Sequence, residues 1–293
     1  MGIDIHALNF LLYVKTLRDL DETITLGRQE IYVIEPLLRK AVNADSKYKN
    51  DAYCEQLLQD YLGANTVDSM DFSRYENASI IHDMNQPLPS DVQSKYDTVI
   101  DGGFLEHIYD IPQALKNCSL LCKPGGQILH ILPANNYCGH GFWQFSPELF
   151  FSLYSNENGY QDTEVFLVKF SNARKWFKVK PPMNGRRVEV HSSTALSVLV
   201  RTVLKGADFS HDNVQQSDYV HEWTDSSTKA AREITSQNLN RIKKFIKQSQ
   251  LFYALLSPPY SYYLRMKKAT VSRLSNSNPN LVEINVASLL KSN

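Results

Sequence analysis

Tyr96-Asp97-Thr98-Val99-Ile100-Asp101-Gly102-Gly103-Phe104-Leu105-Glu106-His107 begins as a run of strand-forming residues and ends beyond a glycine pair. The apolar, β-branched part predicts a short buried strand, and at the paired glycines the backbone can turn sharply and come close to a ligand. A helical segment follows, closed by Lys123-Pro124-Gly125-Gly126, a stop and a turn. Residues 127–132 then read as a second buried strand. Strand, turn, helix, turn, strand is a βαβ unit, and a crossover of this length favours parallel strands in an α/β sheet.

The flanking sequence supplies more elements of the same kind. Asp4 is placed to cap an amphipathic helix over 4–18, with Leu8, Leu11 and Leu12 on one face. Residues 23–29 read as a buried strand ending at Gly27, followed by helices over 30–41 and 51–62. Residues 65–71 alternate as a strand and stop at an acid, and 78–83 form the next strand. That strand leaves through 84–89, where two prolines forbid a helix or a central strand. Residues 133–147 are a loop carrying two glycines, His140 and several aromatics, ahead of a helix capped by Ser146 with Pro147 at its first position. Residues 164–170 and 195–204 are two further strands. Between them, 175–187 interleave basic and aromatic residues in an excursion too long for a tight hairpin, placed to shape a site or to cover the sheet edge.

With 293 residues, the chain has room for one large domain with an extension or for two small domains. Its 31 basic and 31 acidic side chains cancel, so net charge gives no ground for a nucleic-acid partner, and none is expected. Cys54, Cys118, Cys122 and Cys138 include no Cys-x-x-Cys pair and read as free thiols. No metal site is expected, and a reducing, cytoplasmic setting follows from that cysteine usage. No basic leader precedes an apolar core at the N-terminus. No stretch reaches the roughly 18 apolar residues of a membrane span.

The run Tyr-Asp-Thr-Val-Ile-Asp, then Leu-Glu-His-Ile, then Cys-Lys-Pro-Gly-Gly-Gln-Ile-Leu resembles the second half of the class I S-adenosylmethionine-dependent methyltransferases. The likeness extends from about Thr23 to Leu204. It implies a doubly wound, Rossmann-like α/β fold of seven strands, with 96–101 as the fourth strand and 127–132 as the fifth. The strands at 164–170 and 195–204 would be sixth and seventh, the last inserted antiparallel. The division expected is 1–205 as the methyltransferase-like domain and 206–293 as a helical, basic appendage.

The resemblance also implies a cofactor, S-adenosylmethionine, and residues to hold it. Asp71, at the end of the second strand, would accept hydrogen bonds from both ribose hydroxyls, since a carboxylate carries two acceptor oxygens at the spacing of a vicinal diol. Its other reading is a solvated acid opening the turn at Phe72. Asp83 would accept from the adenine amine, with Met84 over a ring face; otherwise Asp83 is a turn acid bonded to nearby amides. Gly27, Asp101, Gly102 and Gly103 would border the methionine end. In the family the first strand ends in a loop with several glycines, whereas here Gly27 is followed by Arg28 and Gln29. Arg28 would pair with the cofactor's carboxylate or make a structural ion pair with an acid of the next helix.

Two histidines follow the ends of the fourth and fifth strands, His107 and His140, and are the candidates for a general base. His107 has the alternative of lining the cofactor pocket or capping its helix, and His140 that of stacking on Trp143 or bonding to backbone. The function implied is methyl transfer to a small-molecule or sugar acceptor, at oxygen. The alternative is a methyltransferase-like scaffold that binds or assembles without catalysis. Residues 228–256 read as a helix, and 241–275 hold eight Lys or Arg and no acid, a solvated face or a surface for anionic glycan or a membrane leaflet.

Overall fold

The computed structural model describes residues 2–46, 51–212, 214–224, 258, 259, 262 and 272–291. The helix expected over 228–256 and most of the basic 241–275 segment lie outside them. In chain order the described residues form β1 (Gly2–Ile3), α1 (Ile5–Leu17), β2 (Asp21–Leu26), β3 (Glu30–Ile31), α2 (Glu35–Val42), α3 (Glu55–Leu62), β4 (Ala64–Asp71) and β5 (Ile80–Ile81). Then come β6 (Tyr96–Gly102), α4 (Ile111–Leu121), β7 (Cys122–Asn135), α5 (Pro147–Leu153), β8 (Tyr160–Lys169), β9 (Lys175–Val179), β10 (Leu196–Leu204), α6 (Ser217–Thr224), β11 (Leu281–Asn285) and a final helix Val286–Leu289.

Local chemistry explains several of these boundaries. Asp4 caps α1, its carboxylate accepting from the amides of His6 and Ala7 at 2.9 and 2.8 Å. Ser146 caps α5 through the Glu148 amide, with Pro147 fixing the first turn. Elsewhere tertiary pairing overrides the local pattern. The helix expected from residue 30 starts instead at Glu35, because Glu30 and Ile31 pair in parallel with Gly2 and Ile3. The strand expected over 78–83 is reduced to Ile80–Ile81 at the sheet edge.

One nine-stranded sheet organises the molecule, in the order β11-β9-β8-β10-β7-β6-β2-β4-β5. β5, β4, β2, β6 and β7 are parallel, whereas β10 runs antiparallel to both its neighbours, β7 and β8. Among the described residues, nine strands replace the expected seven. The excursion 175–187 begins with β9, which pairs with β8, and β11 pairs with β9 in turn, Leu281 opposite Val179. So the sheet edge is covered by chain from beyond residue 206.

Side chains alternate between two cores, as strand geometry requires. Val99, Ile128, Leu167, Val198 and Val200 face one cluster, with α4 and α5 residues such as Leu115 and Phe150. Ile100, Leu129, Phe166, Val168 and Leu199 face the other, with Leu8, Leu11 and Val14 of α1 and Leu57, Leu58 and Leu62 of α3. A sheet buried on both faces carries adjacent apolar residues rather than strict alternation, as at Val99-Ile100, Ile128-Leu129 and Val198-Leu199-Val200, all buried. No helix among the described residues is long and apolar enough to cross a membrane.

Candidate functional site

Register brings the ends of the parallel strands into one row. Leu26 lies opposite Met70 on one side and Asp101 on the other, so Gly27, Asp71 and Gly102 come next together at the carboxyl edge. The strand order reverses between β2 and β6: the chain moves outward through β4 and β5 on one side and through β7 on the other. In open α/β sheets, that switch point is where ligands enter.

The turn after β6 is held from below. Asp101 is fully buried, and its Oδ1 accepts from the amides of Phe104 and Leu105 at 3.0 and 3.2 Å. Its Oδ2 is 2.8 Å from Nδ1 of His130, whose Nε2 is 2.7 Å from the Tyr154 hydroxyl. Both oxygens are therefore committed, and Asp101 positions the turn from inside the protein rather than bordering a pocket. At Gly102 a Cβ would stand 2.6 Å from Oε1 of Gln29, and Gly103 has φ of 83°. Gly103 is in the left-handed region, which favours glycine, and a side chain at Gly102 would displace the end of Gln29.

Gln29 was not foreseen as a site residue. Fully buried, it donates from Nε2 to the Leu26 carbonyl at 2.7 Å, while its Oε1 has no partner among the described residues. It fills space between the ends of β2 and β6, where additional glycines would bring backbone close to the methionine part of a cofactor. Arg28 takes the structural alternative, donating from Nε to Glu55 at 2.6 Å and from Nη1 to the Glu76 carbonyl at 3.1 Å. Its guanidinium lies 4.0 Å over the Tyr53 ring. The acid belongs to α3 rather than α2, and this engagement leaves Arg28 committed away from a cofactor carboxylate.

Asp71 is half-buried at the end of β4, and its Oδ1 accepts from the Ser73 amide at 3.2 Å. Asp83 accepts from the amide and the side-chain nitrogen of Asn85 at 3.0 and 2.8 Å, which holds its carboxyl below the usual range. Both acids thus close local turns. Met84 is 1% exposed and packs in the main core, with the Asn117 amide donating to its carbonyl at 3.2 Å. That burial corrects the expectation that Met84 lies open to an adenine ring.

On the neighbouring side, the loop after β7 folds over the turn that follows β6. The amides of Phe142 and Trp143 donate to the Glu106 carbonyl at 2.6 and 3.3 Å. His140 sits edge-on to His107, ring centres 5.2 Å apart, and its amide donates to the Tyr137 carbonyl at 3.0 Å. The Trp143 ring N–H donates to the Ile108 carbonyl at 2.8 Å. Both histidines come within reach of Glu106, another residue the sequence did not single out. Glu106 is 2% exposed, and burial, with the nearby Asp101 carboxylate, pushes its carboxyl up to about 8. Burial and the neighbouring His140 lower His107. Beside this cluster, Tyr109, Ile111, Trp143, Phe145 and Leu149 line an open pocket of about 700 Å³. Tyr109 and Phe142 pack edge to face at 6.4 Å and are largely exposed.

Counted along the chain, β2, β4, β5, β6, β7, β8 and β10 are the first to seventh strands of the expected sheet. Across it they run third, second, first, fourth, fifth, seventh, sixth, the seventh antiparallel to its neighbours. This is the class I methyltransferase fold. No family model and no curated protein matches the sequence. Among solved structures, a provisionally assigned methyltransferase from Bacillus halodurans C-125 is 12% identical over 70% of this chain and 100% of its own, with a TM-score of 0.39. An S-adenosylmethionine-dependent methyltransferase from Thermotoga maritima is 16% identical over 69% and 92%, with a TM-score of 0.35. The branched-chain polyamine synthase of Thermus thermophilus, in complex with N4-aminopropylspermidine and 5'-methylthioadenosine, is 14% identical over 73% and 60%, with a TM-score of 0.38. Scores of this size do not assign a fold, and the assignment rests on strand order and direction.

Proposed function

We propose that the protein transfers a methyl group from S-adenosylmethionine to a hydroxyl of a small-molecule or sugar acceptor. The observation that carries this reading is the row formed by Gly27, Asp71 and Gly102 at the switch point of a methyltransferase-type sheet. In this reading Asp71 holds the ribose and Asp83 the adenine amine, while Gly27 and the Gly102-Gly103 turn border the methionine end.

The sulfonium of the cofactor is already activated, so the protein's task is chiefly to hold acceptor oxygen, methyl carbon and sulfur in line. The methyl passes to the oxygen, S-adenosylhomocysteine leaves, and the hydroxyl proton must be taken up. His140 and His107, both half-exposed beside the aromatic pocket, are the groups placed to take it. An apolar, aromatic-walled groove suits the faces of a sugar or another ring.

A second reading, a scaffold that binds or assembles without turnover, draws on a specific observation as well. Gln29 fills the gap beside Gly102, and Arg28 is tied to Glu55, so the first loop is closed where the family has open glycines. The two readings separate in one assay: radiolabelled S-adenosylmethionine incubated with the full chain and a panel of sugars and hydroxylated small molecules. Transfer of label with release of S-adenosylhomocysteine is expected. Cofactor binding without transfer across the panel would favour the scaffold.

A further inference from the structure

Glu106, His107 and His140 present one carboxylate and two imidazole nitrogens within 4.8 Å of one another. Nε2 of His140 lies 3.4 Å from Glu106 Oε1, and Nε2 of His107 lies 3.9 Å from the same oxygen. Both separations exceed the range of a sound N–H···O hydrogen bond, about 2.7 to 3.2 Å. A four-coordinate ion with bonds of about 2.0 to 2.1 Å holds its ligand atoms roughly 3.3 Å apart. The His140–Glu106 separation matches that value, and a small rotation of the exposed His107 ring would bring its Nε2 into the same shell.

The carboxylate carries a second sign. Glu106 is 2% exposed, and its Oε2 has no hydrogen-bond partner among the described residues. Burying a carboxyl without partners is costly, and a coordinated cation would offset the cost. The histidines are 44% and 57% exposed, so the cluster has a closed floor and an open mouth.

The arrangement is built by backbone. Glu106 and His107 belong to a short 3-10 turn, Leu105–His107, while His140 arrives from the loop after β7. That loop is fastened by the two amides of Phe142 and Trp143 on the Glu106 carbonyl. At Gly141, with φ of 70°, a Cβ would stand 2.7 Å from that carbonyl oxygen, so any side chain would drive His140 away from Glu106.

We propose that Glu106, His107 and His140 bind one divalent first-row transition-metal ion, leaving coordination positions open toward the solvent and the aromatic pocket. Two imidazoles with one carboxylate favour Zn²⁺, Co²⁺, Fe²⁺ or Mn²⁺ over Mg²⁺ and Ca²⁺, which prefer all-oxygen shells. Three protein ligands and an open side are the pattern of a reactive rather than a structural ion. An acceptor hydroxyl bound there would ionise more readily, which is the work otherwise asked of a base. The site stands on its own geometry and does not depend on the methyl-transfer reading.

The test uses the full chain, stripped with a chelator and dialysed, then titrated with Co²⁺ while its visible d–d bands are followed, with Zn²⁺ binding measured by calorimetry. One ion per chain is expected, with His107→Ala and His140→Ala each weakening binding by ~100-fold or more. Glu106→Gln should abolish it, and Cys138→Ser, removing the exposed thiol of the same loop, should leave it unchanged. Should Glu106→Gln unfold the chain, the two exposed-histidine variants still decide. Absence of stoichiometric binding of either ion would overturn the site. So would binding that survives a His107→Ala/His140→Ala double variant, or binding lost in Cys138→Ser.

Discussion

His211 shows how much a single buried partner decides. Its Nε2 lies 2.7 Å from the Tyr160 hydroxyl and 3.3 Å from Ser119 Oγ. Burial, with Lys116 nearby, lowers its ionisation from an ordinary 6.5 to about 4. The folded chain thus prefers the neutral ring and the unfolded chain takes up the proton first. Stability is full above pH ~6.5 and declines as pH falls toward ~4, by roughly 1 to 2 kcal/mol after allowing for partial exposure. Thermal melts from pH 7.5 to 4 should show this decline, and His211→Gln should flatten that part of the curve; an unchanged profile would remove the assignment. At the acceptor side, His140→Ala should keep cofactor affinity and lower methyl transfer by ~100- to 10,000-fold, the usual scale of general acid or base help. Full turnover in that variant would leave positioning as the whole mechanism. At this scale the sequence was partly legible. His107 and His140 could be placed after strand ends by counting elements. Glu106 and Gln29 could not be singled out, because what makes them special is tertiary: Glu106 is covered by the loop after β7, and Gln29 is buried in the gap beside Gly102.

Among elements, β9 and β11 carry the main difference between expectation and structure. Lys175-Trp176-Phe177-Lys178-Val179 is short and flanked by basic residues, and its outer partner lies about a hundred residues further on, at Leu281–Asn285. No local pattern announces a pairing of that range. Trp176 is fully buried between Phe10 and Phe166, at ring distances of 6.2 and 5.6 Å, so β9 belongs to the core as well as the sheet. Trp176→Ala should cost about 3 to 5 kcal/mol. Removing 281–293 should expose the β9 edge, lower the melting temperature and promote self-association, because an unpaired edge recruits other strands. A truncated chain that melts like the full one and stays monodisperse would contradict that role for β11. The proposed division at 205 is tested by a longer truncation: a chain cut after residue 205 that stays soluble and unfolds cooperatively would make 206–293, β11 included, dispensable to the domain. By contrast the βαβ unit from Tyr96 to Leu132 was legible in kind and order, with one correction: residues 123–126, expected as a stop and turn before a strand over 127–132, lie within β7 where its register against β6 shifts, and β7 runs on to Asn135.

The whole molecule combines a methyltransferase-type sheet with a first loop that departs from the open, glycine-rich form. The resemblance implied the seven inner strands with the last inserted antiparallel, and the outer pair β9 and β11 lay outside what it implied. At the switch point, Gln29 is the side chain that fills the gap beside Gly102 and narrows the crevice, while Arg28 is engaged with Glu55. Both Arg28 bonds run to Glu55 and Glu76, so Arg28→Leu is expected to lower stability while leaving cofactor affinity in place. Asp71 is the residue on which affinity should turn. Losing a charge-assisted hydrogen bond costs about 1.5 to 3 kcal/mol, or roughly ten- to a hundred-fold in binding. The most direct measurement is isothermal calorimetry of the full chain with S-adenosylmethionine and S-adenosylhomocysteine, repeated on Asp71→Ala. One-to-one binding of both ligands, weakened ~10- to 100-fold in the variant, is the predicted result. A folded chain that takes up neither ligand, or a variant that binds as tightly as the parent, would contradict it.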